Sequence, residues 1–154
     1  MAEKFRYDRI GKRYSQTRHE DPLIRERIHQ ALGNAQTVVN VGAGTGSYEP
    51  YDRQVVPVEP SDVMIGQRSH RLAPAICAVA GQLPLQDASV DAAMSVLSLH
   101  HWNDVKRGVH ELRRVARGPG GSAHLRWLSQ QPNVADGGIP FGSRCTRSTD
   151  LSGT

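Results

Sequence analysis

The chain has 154 residues, enough for one domain with a core of moderate size, and its hydrophobic share of 38% implies that some segment adds nothing to that core. The formal net charge of +4 is scattered except for a basic N-terminal run (Lys4, Arg6, Arg9, Lys12, Arg13, Arg18), which reads as a solvated face rather than a nucleic-acid surface. Aromatic residues make up only 5%, too few for a platform that stacks single-stranded bases.

Residues 1–20 are polar and irregular, with Phe5, Tyr7, Ile10 and Tyr14 as spaced apolar anchors. Asp21-Pro22 reads as a helix start, with Asp as cap and Pro in the first turn. Leu23, Ile24, Ile28, Ala31 and Leu32 would share one face of that helix, and Gly33-Asn34 would end it. Thr37–Val41 is a first strand. It runs directly into Gly42, Gly44 and Gly46, where bare backbone can approach a ligand. Ser47–Arg53 contains Pro50 and has room for a stub of helix only. A second strand, Gln54–Glu59, follows.

Pro60-Ser61-Asp62 opens a short helix through Met64, Ile65 and Gln67. Ala75–Ala80 is a weak third strand. Val90–Leu97 has the largely apolar character of a central parallel strand. Asn103-Asp104 caps a helix with Val105, Val109, Leu112 and Val115 on one face, and Gly118-Pro119-Gly120-Gly121 stops it. Ser122–Leu128 is a possible fifth strand. This alternation predicts an α/β fold, doubly wound around a mostly parallel sheet, with the ligand at the carboxyl ends of the strands. Residues 129–154 lose the pattern and are expected to form a divergent, disordered tail.

Cys77 and Cys145 are the only cysteines, one in a predicted strand and one in the tail, so no disulfide is expected. No metal-ligand spacing is present, and no metal is expected. The N-terminus has no apolar signal core and no run is long enough to span a bilayer, so the expectation is a cytoplasmic protein with no membrane association. Oligomeric state is left open.

The glycine rhythm G-x-G-x-G differs from the G-x-G-x-x-G of dinucleotide-binding loops and suits a cofactor with no pyrophosphate to seat. It resembles motif I of the class I S-adenosylmethionine (SAM)-dependent methyltransferases. Val55-Val56-Pro57-Val58-Glu59-Pro60-Ser61 resembles the second motif of that family. Leu83-Pro84-Leu85 with Asp87-Ala88-Ser89-Val90-Asp91 is similar to a signature of its small-molecule branch. So are Ser98-Leu99-His100-His101-Trp102 and Glu111-Leu112-Arg113-Arg114-Val115 with Arg117-Gly118-Pro119-Gly120-Gly121. The resemblance spans about residues 5–125. It implies a Rossmann-like SAM-binding domain over residues 1–128, with lead-in helices in 1–36 and without the family's C-terminal strand pair.

The resemblance also implies roles. Gly42, Ala43, Gly44 and Gly46 would pass under the methionine and ribose of SAM, with Asn40 just before them. Glu59 would accept both ribose hydroxyls. Ser61, Asp62 and Met64 would flank the adenine, with Pro60 also among the cofactor-binding residues, and Gln82 would reach its edge. Ser98 and His100 would lie where the fourth strand opens toward the methyl group. His100 and His101 are the candidates for a general base, and Trp102 reads as a packing residue. The implied reaction is methyl transfer from SAM to a small-molecule acceptor. The alternatives are an inactive or truncated SAM-binding remnant and, less favoured, an NAD-dependent oxidoreductase. Three departures stand out. Asn40 occupies a position where many relatives have an acid. Pro57 interrupts the second strand, which argues for a short or locally unpaired strand. Val79 and Ala80 stand where relatives often carry an Asp.

Overall fold

Asp21 caps the first helix, α1 (Pro22–Leu32), by accepting a hydrogen bond from the Leu23 N–H at 2.8 Å, and Gly33 ends it with φ +53°. This is the entry into a computed structural model that describes residues 19–117. The helix buries Ile28 and rests Ile24 and Leu32 against the sheet, whereas Leu23 stays 69% exposed instead of joining that face. The expected N-terminal anchors, the fifth strand and the tail lie outside the described residues.

Three parallel strands follow: β1 (Thr37–Val41), β2 (Gln54–Val58) and β3 (Ala92–Met94), in the order β2-β1-β3. Side chains alternate along β1, and the two faces have separate cores. Val39 and Val41 pack with Val58, Leu83, Val90, Leu112 and Val115. Val38 packs with Ile28, Tyr48 and Met94. The first core carries α3 (Val105–Val115) and the second carries α1, so helices cover both faces, as in a Rossmann-like doubly wound sheet. The chain leaves β1 for β2 on one side and returns to β3 on the other. This places the switch of strand order at the carboxyl end of β1.

Pro57 does not shorten β2. It pairs in register with Asn40, and its carbonyl accepts from the Ile76 N–H at 2.8 Å. In a parallel ladder the N–H and C=O of one residue point the same way. The missing donor therefore faces Ile76, where only a single bridge forms, and costs β1 nothing.

Four expectations need correction. The third strand, Ala75–Ala80, is reduced to a bridge between Ile76 and Val58, since a stretch with Ala at 75, 78 and 80 has little β-branched surface to hold a ladder. The fourth, Val90–Leu97, pairs only over Ala92–Met94, because Val90 bridges Ala116 and Leu97 turns to φ +55°. Ser47–Arg53 forms turns and bends with no helix. The short helix α2 (Asp62–Gly66) is capped by Ser61, whose Oγ accepts from the Met64 N–H at 3.3 Å. Cys77 is disulfide-bonded, against the expectation, since distance along the chain does not limit proximity in space. The other cysteine, Cys145, lies outside the described residues. Among the described residues no helix is long and apolar enough to cross a membrane.

Candidate functional site

At the end of β1 the Gly42 and Ala43 N–H groups both donate to the Val58 carbonyl, at 2.9 and 3.0 Å, which folds the glycine loop over the tip of β2. The close approach of neighbours fixes two of the glycines. A Cβ on Gly42 would lie 2.3 Å from Ser98 Oγ, and one on Gly46 would lie 2.3 Å from Leu72 Cδ1; both residues have positive φ, +73° and +98°. Ser98 is held at the end of β3 by donating to the Val41 carbonyl at 3.1 Å. The loop leads into turns and bends rather than directly into a helix.

Glu59 stands one residue beyond β2 and is only 6% exposed. Its Oε2 accepts from the Gly44 N–H at 2.8 Å and its Oε1 from the Ser61 N–H at 2.9 Å. One carboxylate thus ties the glycine loop to the cap of α2. Burial pushes its pKa above the usual glutamate value, against the opposing pull of the two backbone N–H groups and the Arg68 charge. Each oxygen retains a lone pair for a further donor.

A cavity of about 310 Å³ opens between these groups, at the switch of strand order. Of the residues anticipated from sequence, Asn40, Gly42, Ala43 and Gly44 line it from β1, and Glu59, Pro60, Ser61 and Met64 from the β2 side. Gln82 and Ser98 complete the anticipated set, together with His101. Gly46 and His100 do not line it: Gly46 sits over Leu72, and His100 packs on His101 with ring centroids 3.7 Å apart.

His101 is half-buried, and burial, followed by the nearby His100, lowers its pKa to about 4. Its imidazole is therefore neutral at physiological pH. Trp102 lines the cavity and lies against Gly108 of α3, where a Cβ would come within 2.4 Å of the ring. Among the described residues no group of three or more His, Cys, Asp or Glu side chains is placed to hold a metal ion.

A second clamp supports the wall that carries Gln82. Glu111 and Arg114, one turn apart on α3, form a salt bridge at 2.7 Å. Glu111 accepts from the Leu83 N–H at 2.8 Å, while Arg114 donates to the carbonyls of Leu83 and Leu85 and pairs with Asp87. Arg114 holds the Glu111 carboxyl down at about 2. The E-x-x-R segment thus works as a brace for the Leu83-Pro84-Leu85 turn.

Several lining residues have no signal in the sequence. Tyr48 and Leu97 take positive φ, 66° and 55°, without being glycine, and Arg107 reaches the rim from the first turn of α3. Val79 to Gly81 line the cavity beside Gln82. The Asn40 side chain donates to Glu49 Oε1 at 2.9 Å, a partner nine residues downstream.

Residues 39–125 match the family model described as a methyltransferase domain. The chain is 32% identical to demethylmenaquinone methyltransferase of Corynebacterium urealyticum, over 80% of this chain and 58% of that protein. It is 29% identical to mouse tRNA (carboxymethyluridine(34)-5-O)-methyltransferase, over 81% of this chain and 20% of that protein. Among solved structures it superposes on an Anabaena variabilis protein assigned to methyl transfer in an antibiotic biosynthesis pathway, with TM-score 0.61 and 32% identity. That match covers 66% of this chain and 44% of the other. The chain spans between 20% and 59% of the length of the curated relatives it matches.

Proposed function

Because the chain belongs to the class I SAM-dependent methyltransferases, in the branch of that methyltransferase domain, we propose that it binds SAM in the cavity above the glycine loop and transfers the methyl group to a small-molecule acceptor. The observation that carries this reading is the joining of Glu59 to Gly44 across the carboxyl ends of β1 and β2. A buried, acceptor-only carboxylate with spare lone pairs is matched to vicinal hydroxyls, and the bare glycine backbone leaves room beside it. The absence of a helix behind the loop, among the described residues, suits a cofactor without a pyrophosphate and counts against NAD.

When bound, SAM supplies a methyl group on a cationic sulfonium, ready for in-line displacement. The chain's own part is to position and to exclude water. Glu59 fixes the ribose. Gly42 and Ser98 close the floor near the reacting end, and Trp102 with Leu97 shields it from solvent. The cavity would hold an N, O or C nucleophile of the acceptor in line with that methyl group, so that displacement would release S-adenosylhomocysteine and any proton lost by the acceptor would pass to water. His101, with its pKa near 4, is too weak a base to be the main proton acceptor and serves as a neutral wall. The names of the relatives point to both a quinone precursor and a tRNA base as acceptors. The modest cavity and the low aromatic content favour a small molecule.

Calorimetry with SAM and S-adenosylhomocysteine, run beside single-turnover methylation, tests the reading. Binding with transfer supports it; binding without transfer supports a SAM-binding remnant. Binding of NAD but not SAM would overturn both.

A further inference from the structure

We propose that Glu49 supplies the acid that the end of β1 lacks, and that Asn40, Glu49 and Arg68 act as one set of positioning residues for the glycine loop. This rests on the reading of the loop as a SAM site. All three side chains are buried: Asn40 is 2% exposed, Glu49 1% and Arg68 9%. Glu49 Oε1 accepts from Asn40 Nδ2 at 2.9 Å and from Arg68 at 3.1 Å, and Oε2 accepts from Arg68 at 2.8 Å. Arg68 also donates to the carbonyls of Gly44, at 3.3 Å, and Ala73, at 3.0 Å. Gly44 is therefore held at its N–H by Glu59 and at its C=O by Arg68. The middle glycine of the loop has no freedom to tilt while both contacts stand.

Two costs in the fold converge on this network. Tyr48 adopts φ +66°, a conformation that a bulky residue avoids, and the very next residue is Glu49. The turn is secured from α1 and its approach: the Tyr48 N–H donates to Glu20 at 2.6 Å, and its hydroxyl accepts from the Asp21 N–H at 3.0 Å. The second cost is electrostatic. A buried ion pair is a poor source of stability compared with apolar residues of the same size, and Arg68 Nε is buried with no partner among the described residues. Strain and desolvation carried together beside a binding loop point to geometry as their return.

The network also accounts for Asn40. A carboxylate is acceptor-only, so Glu49 requires a donor at 2.9 Å, and Asn supplies one. An Asp there would set two carboxylates side by side, with one of them forced to take a proton or move away. The charge has been moved from strand to loop, with the donor left behind in the strand.

A double-mutant cycle tests this. Asn40→Asp and Glu49→Gln are each expected to weaken SAM binding about tenfold, the scale of one lost charge-assisted bond. In the double variant the donor and acceptor exchange places: the amide introduced in the loop donates to the carboxylate introduced in the strand, while its carbonyl still accepts from Arg68. Affinity is then expected to return to within about threefold of the parent chain. Thermal unfolding of the ligand-free protein, followed in parallel, should show the same non-additivity. Arg68→Lys keeps the charge and loses the fork. It should lower the melting temperature and, titrated at a temperature where the variant is fully folded, still weaken SAM about tenfold. An additive cycle, or an Arg68→Lys protein with full affinity, overturns the proposal. A parent chain that binds no SAM removes the reading beneath it, which is a different result from a parent that binds SAM with an additive cycle.

Discussion

Replacing Glu59 with Ala is the most direct perturbation of the site. The carboxylate is 6% exposed and accepts from the N–H groups of Gly44 and Ser61 at 2.8 and 2.9 Å. Its removal frees two backbone donors and deletes the acceptors proposed for the ribose hydroxyls. Charge-assisted hydrogen bonds contribute roughly 1.5–3 kcal/mol each. Water entering the opened cavity replaces part of two such bonds, and a loss of about 1.4–2.7 kcal/mol remains, which is tenfold to a hundredfold in affinity. Glu59→Gln keeps one acceptor and should fall between parent and Ala. The assay is calorimetric titration with SAM and S-adenosylhomocysteine, well below the melting temperature of each variant. The pH dependence supplies an internal check. Burial raises the Glu59 pKa above its usual 4.5, and hydroxyl donors favour the carboxylate, so the complex holds a lower pKa than the free protein. SAM affinity should therefore decline on acidification through the raised free-protein value, and the Gln variant should lack that decline. Unchanged SAM affinity in Glu59→Ala would refute the assignment.

Three further outcomes follow from the packing and charges. Gly108→Ala places a Cβ 2.4 Å from Trp102, so a cost of about 1–3 kcal/mol and a shifted tryptophan emission are expected; an unaltered melting temperature and spectrum would contradict that packing. Arg114→Leu releases Glu111 from about 2 toward 4.5 and loosens the Leu83–Leu85 brace. Because the folded-state pKa is depressed, the stabilisation is complete above about 4.5 and is lost as pH falls toward 2. The gap between parent and variant in urea unfolding should be widest at neutral pH and narrow in acid to the share carried by the Leu83 and Leu85 carbonyls, and a pH-independent gap would count against the Glu111–Arg114 pair. His101, also depressed, should stabilise the fold fully above 6.5 and progressively less toward pH 4. An NMR titration near 6.5 for its ring, or a break in turnover at that pH that vanishes in His101→Asn, would reverse the reading of a neutral wall.

The parts of the fold legible in the sequence are those written in local chemistry. Asp21-Pro22, Ser61 and Asp104 each cap the helix their residue types announce, and Thr37–Val41 forms the strand its β-branched run implies. Gly42 and Gly46 are legible because close approach excludes a side chain there, and Glu59 because an acid directly after an apolar strand is unusual enough to stand out. Sequence and structure part where pairing depends on a partner. Ala75–Ala80 has strand length but little surface to offer β2, and Val90 is drawn out of β3 by Ala116. At Pro57 the missing donor is plain in the sequence, but the cost depends on the side to which that donor would point, and only the ladder decides it.

What the sequence hides in the site is the set of contacts that fix it from a distance. Asn40 gives the one hint, a neutral amide where an acid is common, but nothing local identifies Glu49 or Arg68 as its complement. Glu49 reaches it only because Tyr48 adopts a left-handed backbone, and Arg68 only because α2 ends at Gly66 and the chain turns back under the loop. The same holds for Leu97, whose positive φ turns it into the cavity wall at the end of β3. The glycine loop alone specifies where backbone is bare. Its shape is specified by buried charges 15 residues on, at Glu59, and 24 residues on, at Arg68, which grip opposite ends of one residue, Gly44. A loop whose middle glycine is held from both sides is poised before any ligand arrives, and preorganisation of that kind lowers the ordering cost that binding would otherwise bear.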